Sequence, residues 1–321
     1  MNKNNTTFMC KLIIGVPIIF FVLISPLYIN AHVYSIIRES NVERNMNWNS
    51  SDNHLVLDTA TPPKVKKREK LLQTLPKLIY KVTNAEVFNV NYKNSKFQVV
   101  VVNSKYNTLK IISNGSGNMQ GLEYHYKQNP NAKVLMNAGM FEADGSAVGL
   151  LISNNKLIKN INLKTNLPGN FYSMKNAIFY VDVNGKYYLN PTTVFNEKFK
   201  HKYQSILFAT QSGPVLNIEG KINKEFNKNS VNKLIRNGIG IVSNKKNNIA
   251  IFVISKTPTT FYELASLFKN LGCDNAMYLD GTVSTLFYKN NANKKDKPQI
   301  GGMKLGPIFS VMPNKVVKNE Q

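Results

Sequence analysis

Four short segments place small and polar residues directly at the end of an apolar run, where a folded sheet would open onto solvent. They are Asn137-Ala138-Gly139-Met140-Phe141 after Val134–Met136, and Gln211-Ser212-Gly213-Pro214 after Ile206–Ala209. Arg236-Asn237-Gly238-Ile239-Gly240 opens a strand, and Leu279-Asp280-Gly281-Thr282-Val283-Ser284-Thr285 follows Met277-Tyr278. Ligand sites of sheet proteins gather at strand ends, where loops bring polar groups together. Any one of these segments is an ordinary turn, but four of matched polarity point to one site. Asp280 is the leading catalytic carboxylate: it either faces a cleft as an acid–base group or closes a local turn onto the amides that follow it. Glu142 and Asp144 are the nearest candidates for a second carboxylate.

Arg236 stands out because it is the sole arginine beyond residue 68 in a chain that uses lysine for nearly every other positive charge. Lysine would serve for solubility, whereas a planar, permanently charged fork suits phosphate recognition or the tying of a loop. Gly281, Ser284 and Thr285 are the other candidates on the phosphate side, where the hydroxyls donate to phosphate oxygens or simply pack. Asn137, Gly139, Gln211, Ser212, Gly213 and Asn237 are the other candidate substrate-binding residues, where the amides bind a ligand's hydroxyls or fix loops.

Other chemistries lack their equipment. The chain has no G-x-S-x-G elbow, no P-loop and no H-E-x-x-H. Its four histidines, His32, His54, His125 and His201, are scattered, and no Cys/His cluster has metal-ligand spacing. No metal and no cofactor is expected. Cys10 and Cys273 lie on opposite sides of an apolar N-terminal run, so no disulfide between them is expected, and Cys273 reads as a small buried hydrophobe.

The elements that must position these residues are mostly strands. Phe97–Val102, Val134–Met136, Val148–Ile152, Ala177–Val183 and Ile249–Ile254 are apolar and β-branched, the pattern of buried strands. Asn184-Gly185 predicts a tight hairpin, and Ser243–Asn248 a looser one. Thr260 with Glu263 three residues on forms a capping box, and Phe261, Leu264, Ala265 and Phe268 follow at helical spacing, with Gly272 past the end. A second helix is expected over about Met119–Gln128. The sum is an α+β fold: one domain with a mixed, mainly antiparallel sheet and few helices.

The order NAGMF, Val148-Gly149-Leu150-Leu151, QSGP, IRNGIG, YLDGTVSTLFY resembles that of the phosphodiester glycosidase domain family, most closely its bacterial branch. The family includes a lysosomal "uncovering" enzyme that removes N-acetylglucosamine from a phosphodiester on mannose. The likeness covers roughly residues 75–315. It departs at Asn237-Gly238, where better-known members often have a hydroxyl residue and alanine, and at Thr282-Val283, where they tend to be glycine-rich. The resemblance implies a hydrolase acting on a carbohydrate phosphodiester. A phosphate monoester has a second pKa near ~6, so it can leave largely unprotonated. Charge neutralisation by Arg236 can then take the place of a general acid.

Length and charge set the frame. The 321 residues, 43% hydrophobic, can bury one sizeable core. The formal net charge of +23 comes almost wholly from lysine beside abundant asparagine, a balance that codon bias in an AT-rich genome gives by itself. It also suits an anionic membrane or glycan surface, the alternative to a hydrolase being a non-catalytic envelope module that binds one. No zinc finger, basic zipper or RNP-like signature supports specific nucleic-acid binding. Nothing in the chain specifies an oligomeric state. Lys3 and Lys11 precede the apolar run Leu12–Ile29, the pattern of a cleaved signal or an uncleaved anchor, which places the remainder outside the cytoplasm. The organisation expected is a signal or anchor at 1–30, a polar basic linker at 31–74, the glycosidase-like domain at 75–316 and a tail at 317–321.

Overall fold

The computed structural model describes residue 76 and residues 79–243, 248–289 and 303–314, all within the compact unit 56–321. The export segment, nearly all of the linker and the tail lie outside the described residues. A 3-10 turn at Ile79–Lys81 precedes β1 (Glu86–Tyr92), β2 (Ser95–Asn103) and β3 (Asn107–Ile112). Then come α1 (Leu122–Gln128), β4 (Val134–Asn137), β5 (Leu151–Ser153), β6 (Lys156–Lys159), β7 (Ala177–Asp182) and β8 (Tyr187–Pro191). They are followed by α2 (Thr192–Phe199), β9 (Ile206–Ser212), β10 (Val215–Ile218), β11 (Lys221–Ile222), β12 (Asn237–Val242) and β13 (Ile249–Ser255). The last elements are α3 (Phe261–Asn270), β14 (Asn275–Tyr278), β15 (Leu286–Tyr288) and β16 (Ile308–Pro313).

The α+β reading holds, with the strands divided among three sheets. Their orders are β1-β2-β13-β12-β14-β10-β11, β15-β4-β16-β3 and β6-β5-β9-β7-β8. Every pairing described is antiparallel.

One central core lies among the inner faces of all three sheets, and each helix covers the outer face of one sheet. Period-two alternation divides the unbroken apolar strands between cores. Val100 and Val102 of β2, with Ala250 and Phe252 of β13, join the central core. Val99, Val101, Ile251 and Val253 face the other way, into a second core with Leu264, Leu267 and Phe268 of α3. Burial on both faces is why these strands read as continuous rather than alternating. In the same way, α2 sets Phe195 against Ile178 and Tyr180 of the five-stranded sheet. Leu122 of α1 packs with Leu135, Phe287 and Ile308 of the four-stranded sheet.

α3 starts where its sequence says it should. Thr260 accepts from the Glu263 amide and Glu263 bonds back to the Thr260 amide, at 3.1 Å each, a cap that stabilises by about 1 kcal/mol. Leu264, Leu267 and Phe268 are fully buried, each contributing roughly 1.5–3 kcal/mol. Asn184-Gly185 joins β7 to β8 with Gly185 at φ +76°, the left-handed geometry that glycine accepts without a Cβ penalty. Val148–Ile152 behaves differently from expectation. Its strand begins only at Leu151, because the Leu150 amide bonds to the Gln211 side chain at 2.9 Å rather than to a neighbouring strand.

Candidate active site

The four segments meet. Asn137 ends β4 in the four-stranded sheet, and its fully buried side chain ties that end to the seven-stranded sheet. Its Nδ2 donates to the Asp280 carbonyl at 3.1 Å. Its Oδ1 accepts from Asn237 Nδ2 at 2.7 Å and from the Thr285 amide at 3.2 Å. Two residues on, the Gly139 amide donates to Thr210 Oγ1 at 3.2 Å, joining the same corner to β9 of the third sheet. A Cβ at Gly139 would overlap both Thr210 Oγ1 and the Gln211 carbonyl, so glycine is required for this close approach. The Tyr278 amide donates to the Pro214 carbonyl at 3.0 Å, which brings the Gln211–Pro214 segment to the strand that leads into Asp280.

Asp280 is partly exposed, yet protein packs closely around its carboxylate, and this desolvation raises its pKa above the ordinary aspartate range. The Thr282 amide donates to Asp280 Oδ1 at 3.1 Å and works in the opposite direction, by stabilising the ionised form. The local turn is present: one oxygen shapes the loop, while burial makes the group as a whole a stronger base than a solvated aspartate. The loop rests on Tyr278, whose buried hydroxyl accepts from the Gly281 amide at 2.9 Å. Burial first, and the neighbouring Asp280 charge second, push the Tyr278 pKa up to about 12, so the phenol stays neutral at physiological pH. Ser284 Oγ donates to the Gly281 carbonyl at 2.8 Å and closes the turn. Thr285 enters through its amide.

Arg236 departs from the expected open fork. Its side chain is 1% exposed. Nε donates to the Thr259 carbonyl at 2.9 Å, and Nη2 to the Asn232 carbonyl at 3.2 Å. The guanidinium lies over the Phe261 ring with Cζ 3.7 Å from its centroid. Two of its three nitrogens are thus committed to the Asn232 and Thr259 carbonyls and one of its faces to Phe261, the first residue of α3, and desolvation lowers its pKa. Nη1 is buried on the Tyr278 side of the guanidinium, so Arg236 presents no open bidentate pair.

Gln211 is spent on the fold. Its Oε1 accepts from the Leu150 amide at 2.9 Å and the Asn162 amide at 3.0 Å. Its Nε2 donates to the Asn162 carbonyl at 2.7 Å and Asn176 Oδ1 at 3.1 Å. No hydrogen-bonding capacity remains for a sugar, so Gln211 fixes loops, the second of the two roles open to it. Gly213 is held against Asn176, where a Cβ would stand 2.6 Å from the Asn176 Cβ. Glu142 is exposed on the turn closed by the Phe141–Ala147 bridge, and no described residue bonds to its side chain. The structure does not join it to Asp280 as a second carboxylate. Asp144 bonds to Ser116 and the Ser146 amide, which hold its pKa down to about 2.

Among the described residues, seven buried side-chain atoms have no hydrogen-bond partner, and three of them belong to these segments: Ser212 Oγ, Arg236 Nη1 and Asn237 Oδ1. An unsatisfied buried polar atom costs about 1–3 kcal/mol. Two of the three belong to consecutive residues, Arg236 and Asn237, at the opening of β12, a strand end where stability is given up as functional sites do. Among the described residues, no group of three or more His, Cys, Asp or Glu is placed to hold a metal ion.

Tyr278, Phe261, Thr210 and Asn176 belong to the site's support and were not singled out by sequence. Tyr278 and Phe261 look like ordinary core aromatics in a strand and a helix. Thr210 and Asn176 carry no local signal, since their partners lie 71 and 35 residues away.

The phosphodiester glycosidase family model matches residues 130–311, more than half of the chain. The Escherichia coli (strain K12) protein YigE, named as uncharacterized, is 32% identical over 203 residues, covering 61% of this chain and 75% of that protein. Among solved structures, the zebrafish N-acetylglucosamine-1-phosphodiester alpha-N-acetylglucosaminidase catalytic domain aligns with a TM-score of 0.49 at 13% identity, over 71% of this chain and 82% of that one. A hypothetical protein from Synechocystis aligns at 0.47 and 14% identity, over 71% of this chain and 62% of that one. On the family match and the relationship to YigE, the chain belongs to the phosphodiester glycosidase family.

Proposed function

We propose that this chain hydrolyses a sugar-1-phosphodiester at the glycosidic C–O bond, releasing the sugar and a phosphomonoester. The observation that carries the reading is Asp280: a desolvated carboxylate at a corner where four strand ends converge. Two carboxylates are the rule for ordinary glycosidases, because an alcohol leaves poorly unless protonated. A phosphomonoester, with a second pKa near ~6, leaves largely unprotonated, so a single base is sufficient. Water attacks the anomeric carbon and the bond from that carbon to the phosphate oxygen breaks. The phosphate departs with all its oxygens, and Asp280 takes the proton of the attacking water before passing it to solvent. Arg236, buried against Phe261 and near Tyr278, supplies a positive potential to the leaving group without touching it.

Hydrolysis in oxygen-18 water tests which bond breaks. Label in the sugar hemiacetal at early times, with unlabelled phosphate, is expected, and label in the phosphate would overturn the mechanism. The substrate on this reading lies on exported or envelope glycans, since Lys3, Lys11 and the run Leu12–Ile29 carry an export pattern. A reporter fused after residue 75 should be active outside the cytoplasm, and activity confined to the cytoplasm would refute the location.

A further inference from the structure

A cleft of about 400 Å³ shares no lining residue with the Asp280 corner, and lysine dominates it. Lys221, Ile222, Asn223, Lys224, Phe226, Lys228, Tyr262 and Lys269 line it. Four of its eight lining residues are lysine, against 37 lysines in the 321 residues of the chain, so the cleft is enriched well beyond the general surplus. The β10–β11 hairpin provides one wall. Beyond it the chain is pinned back by Asn223, whose Nδ2 donates to the Val215 carbonyl at 3.0 Å and whose Oδ1 accepts from the Glu225 amide at 3.0 Å. The opposite wall is α3, which contributes Tyr262 and Lys269.

Tyr262 is the partly exposed aromatic surface of this cleft. Lys228 Nζ stands 5.9 Å from its ring centroid, and Lys93 Nζ, reaching in from the β1–β2 turn, stands 5.1 Å away. Two ammonium groups thus face the Tyr262 ring, and three further lysines line the cleft beside it. Glu263, held in the α3 cap by Thr259 and Thr260, offsets Lys93 in part, and Glu225 is exposed and outside the cleft lining, which leaves the lysines in excess. Phe226 stacks on Phe261 at 5.3 Å, and Phe261 in turn covers Arg236 and meets Tyr278 edge-on at 4.9 Å. A continuous line of packed rings therefore joins the cleft to the residue that supports the Asp280 loop.

We propose that this cleft is an accessory binding site for a phosphodiester-linked glycan polymer, with phosphates held by Lys93, Lys221, Lys224, Lys228 and Lys269 and a sugar ring seated on Tyr262. Lysines are mobile point charges that suit a flexible chain of repeating phosphates, where a single fixed phosphate would favour an arginine fork. An aromatic face among cations suits a repeat that alternates sugar with phosphate. The identity of the repeat rests on the phosphodiester reading above, whereas the existence of a polyanion cleft does not. The site would hold the polymer while successive linkages reach Asp280, raising effective concentration without taking part in the bond cleavage.

The test uses the full chain carrying Asp280→Asn, so that binding is read without turnover, and glucosylated poly(glycerol phosphate) as probe. Affinity should fall at least ~10-fold when Lys221, Lys224, Lys228 and Lys269 are all changed to glutamine. The dependence of log K on log salt should flatten by up to about 0.7 per lysine removed, the scale known for flexible single-stranded polyanions. Tyr262→Ala should weaken the glucosylated polymer more than the unsubstituted one. In the active chain, the four lysine changes should leave turnover of a small sugar-1-phosphodiester within about twofold, which separates this site from the catalytic one. No binding of the polymer, or equal binding by the four-lysine variant, would overturn the proposal. Tighter lysine-dependent binding of oligo(dT) or phosphatidylglycerol vesicles would overturn it too, by assigning the cleft to nucleic acid or membrane. If the wild-type chain turns over no sugar-1-phosphodiester but binds the polymer through these lysines, the catalytic reading fails and the cleft stands.

Discussion

Gly281→Ala is the most direct probe of how the Asp280 loop is held. The Gly281 amide donates to the Tyr278 hydroxyl, and its backbone lies so close that an added Cβ would overlap that hydroxyl. The same Cβ would stand 2.9 Å from Tyr278 Cζ and 3.0 Å from the Ile235 carbonyl. Tyr278 cannot swing away, because it is buried against Phe261, and the carbonyl is backbone. The loop must therefore shift, and restoring ordinary carbon contacts of about 3.5 Å or more takes a displacement on the order of 1 Å. A displacement of that size at a reacting group costs roughly 100-fold in rate, and the overpacking costs about 1–3 kcal/mol of stability. Tyr278→Phe removes the overlapping atom and its hydrogen bond together, leaving the Gly281 amide unpaired at about 1–3 kcal/mol. In the double variant the added methyl meets only the two contacts near 3 Å, so part of the lost rate should return. Steady-state turnover of a sugar-1-phosphodiester and denaturant unfolding of the two single variants and the double variant give the coupling, expected at about 0.5–3 kcal/mol. Wild-type turnover by Gly281→Ala, or strictly additive effects in the double variant, would refute the support assigned to Tyr278.

Two further outcomes follow from the same corner. Asp280→Asn should lower turnover at least ~100-fold while stabilising the fold at neutral pH. Its folded pKa is raised by desolvation, so ionised Asp280 opposes folding at neutral pH, and this opposition fades as the pH falls toward the unfolded value near ~3.9. The Tm difference between variant and wild type should accordingly shrink in acid, and a difference that is constant with pH would contradict the desolvated carboxylate. Arg236→Lys should lose the bonds to Thr259 and Asn232 and the stacking on Phe261, lowering stability by about 2–3 kcal/mol. It should also slow turnover of the phosphodiester, and unchanged turnover in the destabilised variant would show that Arg236 does not act on the leaving group.

What the sequence disclosed depended on the range of the interaction. α3 was readable from Thr260 and Glu263 because a capping box is closed within three residues. The β7–β8 hairpin was readable from Asn184-Gly185 because the turn is local. α2 was not foreseen: Thr192–Phe199 starts directly after Pro191 without a side-chain cap, and its stability comes from Phe195 packed on a distant sheet. The site divides in the same way. The four strand-end segments announced themselves by composition, but the roles within them are set by partners far along the chain. Asn137 bonds to residues 100, 143 and 148 positions away. Gln211 reaches back 61 and 49 positions, and it is this long-range commitment that takes it from the sugar to the scaffold. Arg236 was noticed by its rarity, while its closed fork depended on Phe261 and Thr259, which the rarity could not show.

The division of labour among charges completes the physical case. A chain with net charge +23 has, among its described residues, one ion pair, Lys127–Glu123, and both of its side chains are well exposed. Such a pair contributes at most a few tenths of a kcal/mol. The fold is therefore carried by apolar burial and by neutral side-chain hydrogen bonds such as those of Asn137, Gln211 and Asn155, which salt screens little. The lysines, by contrast, act in solvent, where fields fade within about 8 Å at physiological ionic strength. Salt should consequently leave the unfolding midpoint nearly unchanged while sharply reducing attachment to a polyanion. A protein whose stability fell in parallel with its polymer binding would have its lysines built into the fold, contrary to the exposure of the cleft lysines Lys221, Lys224, Lys228 and Lys269.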